Sequence, residues 1–482
     1  MTLRRTKIVA TLGPSSSTPE RIEALIKAGM NVARLNFSHG THDEHRARAN
    51  LVRETAARLG THVALLGDLQ GPKIRIARFK DGKIQLSVGD KFRLSTSHPL
   101  DEGNQQVVGI DYPELVSDCR AGDELLLDDG RIVLRVDAIT QDEAQCTVTA
   151  GGALSNHKGI NRRGGGLSAA ALTDKDRADI VLAAEMAMEY VAVSFPRDAK
   201  DMDLARNLLQ EAGSQAWLVA KIERAEAVAD EALDGLIDAS DCVMVARGDL
   251  GVEIGDAELV GIQKIIIARA RRKNKTVITA TQMMESMINS PLPTRAEVSD
   301  VANAALDYTD AVMLSGETAA GDFPVEAVAA MDRVCRGAEK NPTSQQSSHR
   351  LHMEFGRCDE TIALAAMYAA NHFPGVTAVI SLTDSGYTPL IMSRIRSHLP
   401  IYALSPNTQT LGRVALMRGV QSIAFNPTEM PSSEVNQHAV NKLLELGHVK
   451  PGDWVILTKG DVYNSRGGTN SMKLLHVGEA LV

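Results

Sequence analysis

Charged side chains at alternate positions of two short segments have the types and spacing needed for phosphoryl chemistry. Lys221 and Glu223 are separated by one residue, and so are Arg247 and Asp249 further along the chain. In a β-strand this spacing places both members of each pair on the same face. Two carboxylates from adjacent strands suit a hard divalent cation such as Mg²⁺, and Lys221 suits a phosphoryl group.

Similar polar residues end other apolar segments of the chain. Arg34, Asn36 and Ser38 alternate in one of them, and Arg34 suits a phosphate as Lys221 does. A network of internal salt bridges would explain one charged pair. Six segments that end this way favour a site that binds ions or anionic ligands instead. Three further segment ends carry Asp68, Thr281 and Ser315.

The segments that carry these residues predict a parallel barrel. Eight short apolar segments alternate with helical patterns, and continuous apolar strands are typical of parallel sheets that are buried on both faces. Eight in succession predict an α/β fold with a (β/α)8 TIM barrel, in which function collects at the carboxyl ends of the strands. The predicted strands are Thr6–Gly13, Asn31–Ser38, His62–Leu69, Tyr190–Phe195, Ala216–Glu223, Asp241–Asp249, Thr276–Met283 and Asp310–Glu317.

A long interruption separates the third barrel strand from the fourth. It is too long for an ordinary loop, and it has an all-β pattern of short strands and Gly-Asp or Asp-Gly turns. We predict barrel parts at 1–70 and 168–340 and an inserted β lid domain at 71–167, with hinges at Gly71-Pro72 and at glycines 164–166. The lid strands are predicted at Lys83–Val88, Lys91–Ser95, Glu124–Leu127, Arg131–Val136 and Gln145–Thr149.

A third domain is predicted at 341–482. The polar stretch Asn341–Arg350 indicates a linker, and alternating apolar and helical segments after it favour an α/β domain with an open parallel sheet. Its strands are predicted at Ala378–Leu382, Ile401–Leu404, Gln421–Phe425 and Trp454–Leu457. The loop after the first strand suits a phosphate, although an ordinary capped turn would explain it as well. Its candidate ligands are Thr383, Ser385, Gly386 and Thr388.

Composition and charge argue against several other classes of function. The net charge is −8 and aromatic residues make up 4%, so nucleic acid is not an expected partner, and the basic stretch Lys158–Arg163 is too short to change this. No apolar run has the length of a membrane helix. The five cysteines are scattered without a CxxC spacing. This argues against a zinc ribbon or a disulfide framework and favours the reducing cytoplasm.

The polar segment ends and the lid together predict phosphoryl transfer. This chemistry needs a pair of carboxylates that hold a metal ion, cationic side chains that bind the phosphoryl group, and a domain that excludes water. A histidine cluster at His39, His42 and His45 fits no common zinc spacing and is expected to begin a helix. Residue types and spacing alone name neither the phosphoryl donor nor the acceptor.

Five motifs resemble those of pyruvate kinases. They follow one another along the chain, and with the lid and the C-terminal domain the resemblance covers essentially all of it. The second bacterial type is the most similar. The motifs are Ala33–Gly40, Leu218–Val228, Val245–Gly251, Thr279–Met287 and Met313–Thr318.

The resemblance implies roles for the residues of the rim. Lys221 matches the lysine that touches the transferring phosphoryl group, and Arg34 matches an arginine that binds phosphate. Glu223 and Asp249 match the ligands of Mg²⁺, for which Mn²⁺ can substitute. The cradle of the substrate carboxylate and the relay that protonates enolpyruvate match Gly248–Asp249, Thr281 and Ser315. The nucleotide contacts match Asn36, His39, Arg75 and Lys158.

Lys73 departs from the pattern of potassium-dependent members, which carry a glutamate at the matching position. Its ammonium could fill the role of K⁺, so we predict activity without K⁺. A solvated hinge lysine is the alternative. A monovalent-cation site remains a candidate at Asn36, Ser38, Asp68 and Leu69.

The activity implied by the resemblance is the last step of glycolysis, in which phosphoenolpyruvate and ADP give pyruvate and ATP. The family also implies a cytoplasmic homotetramer that a sugar phosphate or AMP activates at the C-terminal loop. Two other functions are a Mg²⁺-dependent lyase or aldolase acting on enolates and a metabolite sensor with an inactive barrel. The first needs neither lid nor nucleotide contacts, and the intact Lys221, Glu223, Asp249 and Thr281 argue against the second.

Overall fold

Strands and helices alternate along most of the described chain, which comprises residues 3–342, 354–461 and 467–479 of the computed structural model. The strands are β1 (Lys7–Leu12), β2 (Val32–Asn36), β3 (Ala64–Asp68), β4 (Lys83–Leu86), β5 (Lys91–Ser95), β6 (Val107–Gly109), β7 (Glu124–Leu127), β8 (Ile132–Ile139), β9 (Glu143–Ala150), β10 (Gly152–Ser155), β11 (Ile160–Arg162), β12 (Tyr190–Val193), β13 (Trp217–Ile222), β14 (Cys242–Ala246), β15 (Thr276–Ala280), β16 (Ala311–Leu314), β17 (Val376–Leu382), β18 (Ile401–Ser405), β19 (Val420–Ala424), β20 (Trp454–Gly460) and β21 (Thr469–His476).

The helices lie between these strands, and the linker predicted at Asn341–Arg350 falls outside the described residues from position 343 onward. The helices are α1 (Pro19–Ala28), α2 (His42–Arg58), α3 (Leu115–Asp118), α4 (Asp174–Glu185), α5 (Ala199–Glu211), α6 (Asp230–Ala239), α7 (Arg247–Ile254), α8 (Asp256–Arg272), α9 (Arg295–Leu306), α10 (Gly316–Ala319), α11 (Pro324–Ala338), α12 (Cys358–His372), α13 (Tyr387–Ser393), α14 (Thr408–Val414) and α15 (Val435–Glu445).

A closed barrel of eight parallel strands confirms the predicted fold. β1, β2, β3 and β12 to β16 follow one another around it, and β16 pairs with β1 to close the ring. The strands are apolar throughout because both of their faces are buried: every residue of β14 and of β15 is buried. Parallel direction brings the carboxyl ends of all eight strands to one rim.

Local signals set the bounds of the barrel helices. The Thr18 hydroxyl accepts a hydrogen bond from the Arg21 N–H at the start of α1, and Gly29 ends the helix with a φ of 124°. Thr294 and Glu297 form the predicted capping box at the start of α9. No helix within the described ranges is long and apolar enough to cross a membrane.

The chain between β3 and β12 forms two antiparallel-rich sheets, as the all-β pattern predicts. One has six strands in the order β11-β7-β8-β9-β5-β6, and the other pairs β10 with β4. The sequence did not predict β6, β10, β11 or the short helix α3, because three or four residues show too little alternation. Gly71 has a φ of 67°, and the three glycines 164–166 have φ values of 79°, 76° and 91°.

The C-terminal sheet has one strand more than predicted. β19, β18, β17 and β20 are parallel, as expected, but β21 adds an antiparallel edge beside β20. The open sheet is therefore mixed rather than wholly parallel. β21 escaped prediction because most of its side chains are exposed or only half-buried, so it lacks the apolar run of its neighbours.

This domain packs against the amino ends of the barrel strands. The Arg394 guanidinium follows α13 and pairs with the buried Asp310 carboxylate, which directly precedes β16. The Tyr190 hydroxyl at the start of β12 donates to the Arg413 carbonyl at 2.6 Å. Because these contacts lie at one end of the barrel, the polar rim at the other end stays open.

Candidate active site

Polar side chains at or just beyond the carboxyl ends of barrel strands surround one cavity of about 190 Å³. The structure therefore brings together most of the residues that the sequence singled out. Those that line the cavity are Arg34, Asn36, Ser38, His39, Lys73, Arg75, Lys221, Glu223, Asp249, Thr281 and Ser315.

The Lys221 ammonium lies at the floor of this cavity among three oxygen atoms. Its Nζ is 3.0 Å from Glu223 Oε1, 3.2 Å from Asp68 Oδ1 and 2.7 Å from Ser194 Oγ. Burial lowers the pKa of Lys221, but the charges of Asp68 and Glu223 outweigh burial and raise it. The side chain is therefore a fixed positive charge in a buried place.

Arg34 is held beside Lys221 by the same carboxylate. Its Nε donates to Asp68 Oδ2 at 2.6 Å, and its Nη1 donates to the Thr11 hydroxyl at 2.9 Å. Burial raises the pKa of Asp68, but Arg34 and Lys221 overcome this effect and lower it. Asp68 thus stays ionised and sets the spacing of two cations that suit one phosphate.

Glu223 and Asp249 have the donor atoms that a divalent cation requires. Glu223 is 2% exposed, and its Oε2 accepts a hydrogen bond from the Phe195 N–H at 2.8 Å. Burial raises the pKa of Glu223, Lys221 opposes this, and the nearby charge of Asp249 raises it further. Two carboxylates that repel each other across a cavity fit Mg²⁺, because a cation relieves the repulsion.

Asp249 reaches the cavity from a helix rather than from a strand, which corrects one prediction. β14 ends at Ala246, and Arg247 begins α7, so Arg247 and Asp249 do not share a strand face. The Arg247 guanidinium turns away, pairs with Asp300 at 2.7 Å and donates to the Thr281 carbonyl at 2.7 Å.

Thr281 lies at a strained turn beside the start of α7. Its φ is 65°, a left-handed conformation that a β-branched residue rarely adopts. Its hydroxyl accepts the Gly248 N–H at 2.7 Å and donates to the Ala280 carbonyl at 2.7 Å. The backbone of Ser315 is fixed in turn by Glu317, whose Oε2 accepts the Ser315 N–H at 2.7 Å.

Lys158 is the predicted nucleotide contact that the structure does not bring to the cavity. Its ammonium pairs with Asp128 at 2.7 Å inside the inserted domain. Asn36, His39 and Arg75 line the cavity. Lys158 belongs to the inserted domain, and the resemblance rather than strand spacing suggested it as a nucleotide contact.

The candidate monovalent site is only partly assembled. Asn36 and Ser38 line the cavity, and Asn36 Oδ1 accepts the Ser38 N–H at 3.1 Å. The Leu69 carbonyl instead accepts the Ser194 hydroxyl at 2.7 Å, and the Asp68 carboxylate faces Arg34 and Lys221. Lys73 Nζ lies 3.4 Å from Asp249 Oδ1, so its charge is within the cavity, on the Asp249 side.

A second cavity, of about 170 Å³, lies at the predicted phosphate loop of the C-terminal domain. Thr383, Ser385 and Thr388 line it together with Lys459. Gly386 has a φ of 83°, and its N–H donates to the Thr383 hydroxyl at 2.9 Å. The loop therefore has the open, hydroxyl-rich form that the sequence suggested, next to a lysine that it did not.

The histidines near the rim have separate partners. His42 Nε2 contacts Asp179 at 2.9 Å, and His45 Nε2 contacts the His39 carbonyl at 2.9 Å. Across the described ranges, no three His, Cys, Asp or Glu side chains converge as a metal site. The cysteines that the structure describes are free, and all but Cys358 are buried.

Sequence reasoning missed Ser194, which lines this cavity, and Glu253, which lines a neighbouring cavity together with Lys73 and Asp249. Ser194 bridges Lys221 and the Leu69 carbonyl, and its position directly after β12 could have identified it as another strand end. Glu253 lies one helical turn after Asp249 and is 6% exposed, but no spacing rule singles it out.

Comparisons with known proteins match two regions of the chain to one family. The family description "Pyruvate kinase, barrel domain" matches residues 3–328, and "Pyruvate kinase, alpha/beta domain" matches residues 360–475. The chain is 57% identical over 477 residues to "Pyruvate kinase II" of Salmonella typhimurium, covering 98% of this chain and 99% of the relative. It is 57% identical to a Haemophilus influenzae "Pyruvate kinase" (95% and 96% covered) and 42% identical to one from Geobacillus stearothermophilus (99% and 81% covered).

Proposed function

The chain belongs to the pyruvate kinase family, and from that premise we propose how its residues transfer a phosphoryl group from phosphoenolpyruvate to ADP. One observation carries the proposal: Lys221 Nζ lies 3.0 Å from Glu223 in the same cavity as Arg34 and Asp249. Such a cluster of fixed charges stabilises the negative charge of a phosphoryl group during its transfer from donor to acceptor.

Lys221 and Arg34 bind the phosphoryl group, and Asp68 keeps both cations in place. Glu223 and Asp249 would hold Mg²⁺, or Mn²⁺ in its place, which when bound screens the two anionic substrates from each other. The start of α7 at Gly248–Asp249 and the Thr281 hydroxyl receive the substrate carboxylate, since a helix amino terminus favours negative charge.

Protonation of enolpyruvate is assigned to the hydroxyl groups at the rim. Thr281 and Ser315 follow the last two barrel strands and line the cavity. A hydroxyl at each position can pass a proton toward the enol carbon, and the resulting ketone makes the overall reaction strongly favourable. The strained turn at Thr281 supports this role, because strain of this kind collects at functional sites.

ADP is proposed to bind between the rim and the inserted domain. Asn36, His39 and Arg75 supply contacts from the cavity. Lys158 joins them when segment 71–167 closes on its glycine hinges, and this motion separates Lys158 from Asp128. Closure would also exclude water from the transfer.

We further propose that the reaction needs no K⁺. The Lys73 ammonium lies within the cavity at 3.4 Å from Asp249 and supplies a positive charge there. A bound K⁺ would add one positive charge to the cavity, and the Lys73 ammonium already supplies one. The lysine therefore makes K⁺ dispensable.

The C-terminal cavity is proposed to bind a phosphorylated activator, either a sugar phosphate or AMP. Its hydroxyls and the Lys459 ammonium support an anion at this position.

A homotetramer is proposed as well, since exposed apolar side chains on and near α8 and α9 suit an interface: Val260, Ile265, Leu292 and Val298. The free cysteines fit a cytoplasmic enzyme.

Pyruvate release measured with and without ADP tests the function. We expect pyruvate only when ADP is present, whereas a lyase or aldolase would not require the nucleotide. Lys221→Met should lower kcat by about a hundredfold or more, and Lys27→Met on the surface of α1 serves as the matched control. Full activity of Lys221→Met would refute the role assigned to Lys221, whereas no pyruvate from the unmodified protein under any condition would favour the metabolite sensor.

A further inference from the structure

Glu253 makes hydrogen bonds to two separate parts of the molecule, the loop after β13 and the inserted domain. It lies in the last turn of α7 and is 6% exposed. Its Oε2 accepts the Ala225 N–H at 2.8 Å, and its Oε1 accepts Asn161 Nδ2 at 3.2 Å. Its main-chain carbonyl accepts the Gly164 N–H at 3.0 Å.

These contacts connect the elements that carry the proposed metal ligands. Ala225 follows Glu223 by two residues in the loop after β13, and Glu253 follows Asp249 by four residues in α7. Since four residues make about one helical turn, the bond between Ala225 and Glu253 spans the two segments close to both carboxylates. Asn161 in β11 attaches the inserted domain to the same side chain.

Burial of the Glu253 carboxylate lowers the stability of the folded protein. Within the described ranges no lysine, arginine or histidine forms a salt bridge with it, although Arg224 and Glu226 lie close enough to act on its charge. The Arg224 guanidinium donates instead to the Leu167 carbonyl at 2.7 Å. A buried acid without an ion pair lowers stability, so its geometric role is the better explanation for its presence.

We propose that Glu253 is a positioning residue that fixes the spacing between Glu223 and Asp249. It acts through the Ala225 N–H on one side and through α7 on the other, and Asn161 ties this spacing to the inserted domain. The inference rests on the divalent-cation site proposed above. It names a residue that contacts neither substrate nor cation but determines how well the cation is held.

Direct titration with Mn²⁺ alone tests the proposal, with the free ion measured by electron paramagnetic resonance. Titration of the unmodified enzyme first tests the cation site itself. Glu253→Ala is expected to weaken Mn²⁺ binding about tenfold, the loss typical of a missing partner of a metal ligand. Glu253→Gln keeps an oxygen for the Ala225 N–H and should bind Mn²⁺ within about twofold of the unmodified enzyme.

Glu189→Gln is the matched control for loss of a buried carboxylate. Glu189 is 3% exposed, and its Oε2 accepts the Leu65 N–H at 2.7 Å, at the opposite end of the barrel. Its substitution should leave the Mn²⁺ constant unchanged. Equal effects of Glu189→Gln and Glu253→Ala, or no effect of Glu253→Ala, would overturn the proposal while leaving the cation site intact.

Asn161→Ala separates the contribution of the inserted domain from that of the Ala225 bond. We expect kcat to fall while the Mn²⁺ constant stays within about twofold, because the bond between Ala225 and Glu253 remains. Asn156→Ala is the control, since the Asn156 side chain bonds the Phe79 N–H inside the inserted domain. A Mn²⁺ constant that weakens as much in Asn161→Ala as in Glu253→Ala would contradict the role of the Ala225 bond.

Discussion

Glu253→Gln should make the protein more stable at high pH. Burial raises the pKa of Glu253 from 4.5 to about 7, and the bonds from Ala225 and Asn161 only partly oppose this. The folded protein therefore retains the proton in a range where the unfolded chain loses it. The contribution of Glu253 to the free energy of unfolding is fully present below pH 4.5. It is lost as the pH rises through the pKa of the folded state. Glutamine cannot ionise and avoids this loss.

The size of the effect follows from the two pKa values. Each pKa unit corresponds to about 1.4 kcal/mol, so the difference between 4.5 and about 7 amounts to about 3 kcal/mol. Relative to the unmodified protein, Glu253→Gln should gain about 3 kcal/mol of unfolding free energy between about pH 4.5 and about pH 8. The gain is absent at the acid end, where both states hold the proton.

Urea unfolding near the two ends of this pH range measures the gain. Trp217 lies in the barrel strand β13 and Trp454 in the C-terminal domain, so a Trp454→Phe background lets Trp217 fluorescence report on the barrel. Glu211→Gln at the exposed end of α5 is the control and should show no pH-dependent difference. A Glu253→Gln difference that varies by less than about 1 kcal/mol across the range would refute the reasoning.

Three further variants test other parts of the molecule. Arg394→Met leaves the buried Asp310 carboxylate without its partner and should cost about 3–5 kcal/mol in urea unfolding, whereas a loss below about 1 kcal/mol would contradict this. Lys73→Glu should lower turnover about tenfold in K⁺-free buffer and make it recover with K⁺; equal rates with and without K⁺ would count against the lysine's role. Thr383→Ala combined with Ser385→Ala should abolish the rate increase caused by glucose 6-phosphate, AMP or another activator, and an unchanged increase would exclude this loop.

The barrel could be predicted from the sequence because its strands are apolar on both faces. β14 illustrates both the success and its limit. Its buried run was identified, but the strand was expected to continue to Asp249, whereas α7 begins at Arg247. Ala246 precedes the helix without a side chain that caps it, so the usual signal of a helix start is missing.

The rim residues could be predicted because parallel strands deliver their ends to one place. Lys221, Glu223 and Arg34 needed no more than this rule. Contacts that cross between domains follow no such rule: Asn161 and Glu253 are 92 positions apart, and their meeting depends on how the inserted domain sits on the barrel. The resemblance, rather than a spacing rule, suggested Lys158, and its contact with Asp128 lies within the inserted domain.

The two mouths of the barrel perform different tasks. The C-terminal domain contacts one mouth through Arg394 and Asp310, and the opposite mouth holds the residues to which we assign phosphoryl transfer. Loops at either mouth can therefore change in length and sequence without rebuilding the other. A new regulatory pocket could be introduced at the mouth next to the C-terminal domain by exchanging that domain. The new domain would need an arginine in the place of Arg394, which pairs with Asp310 just before β16.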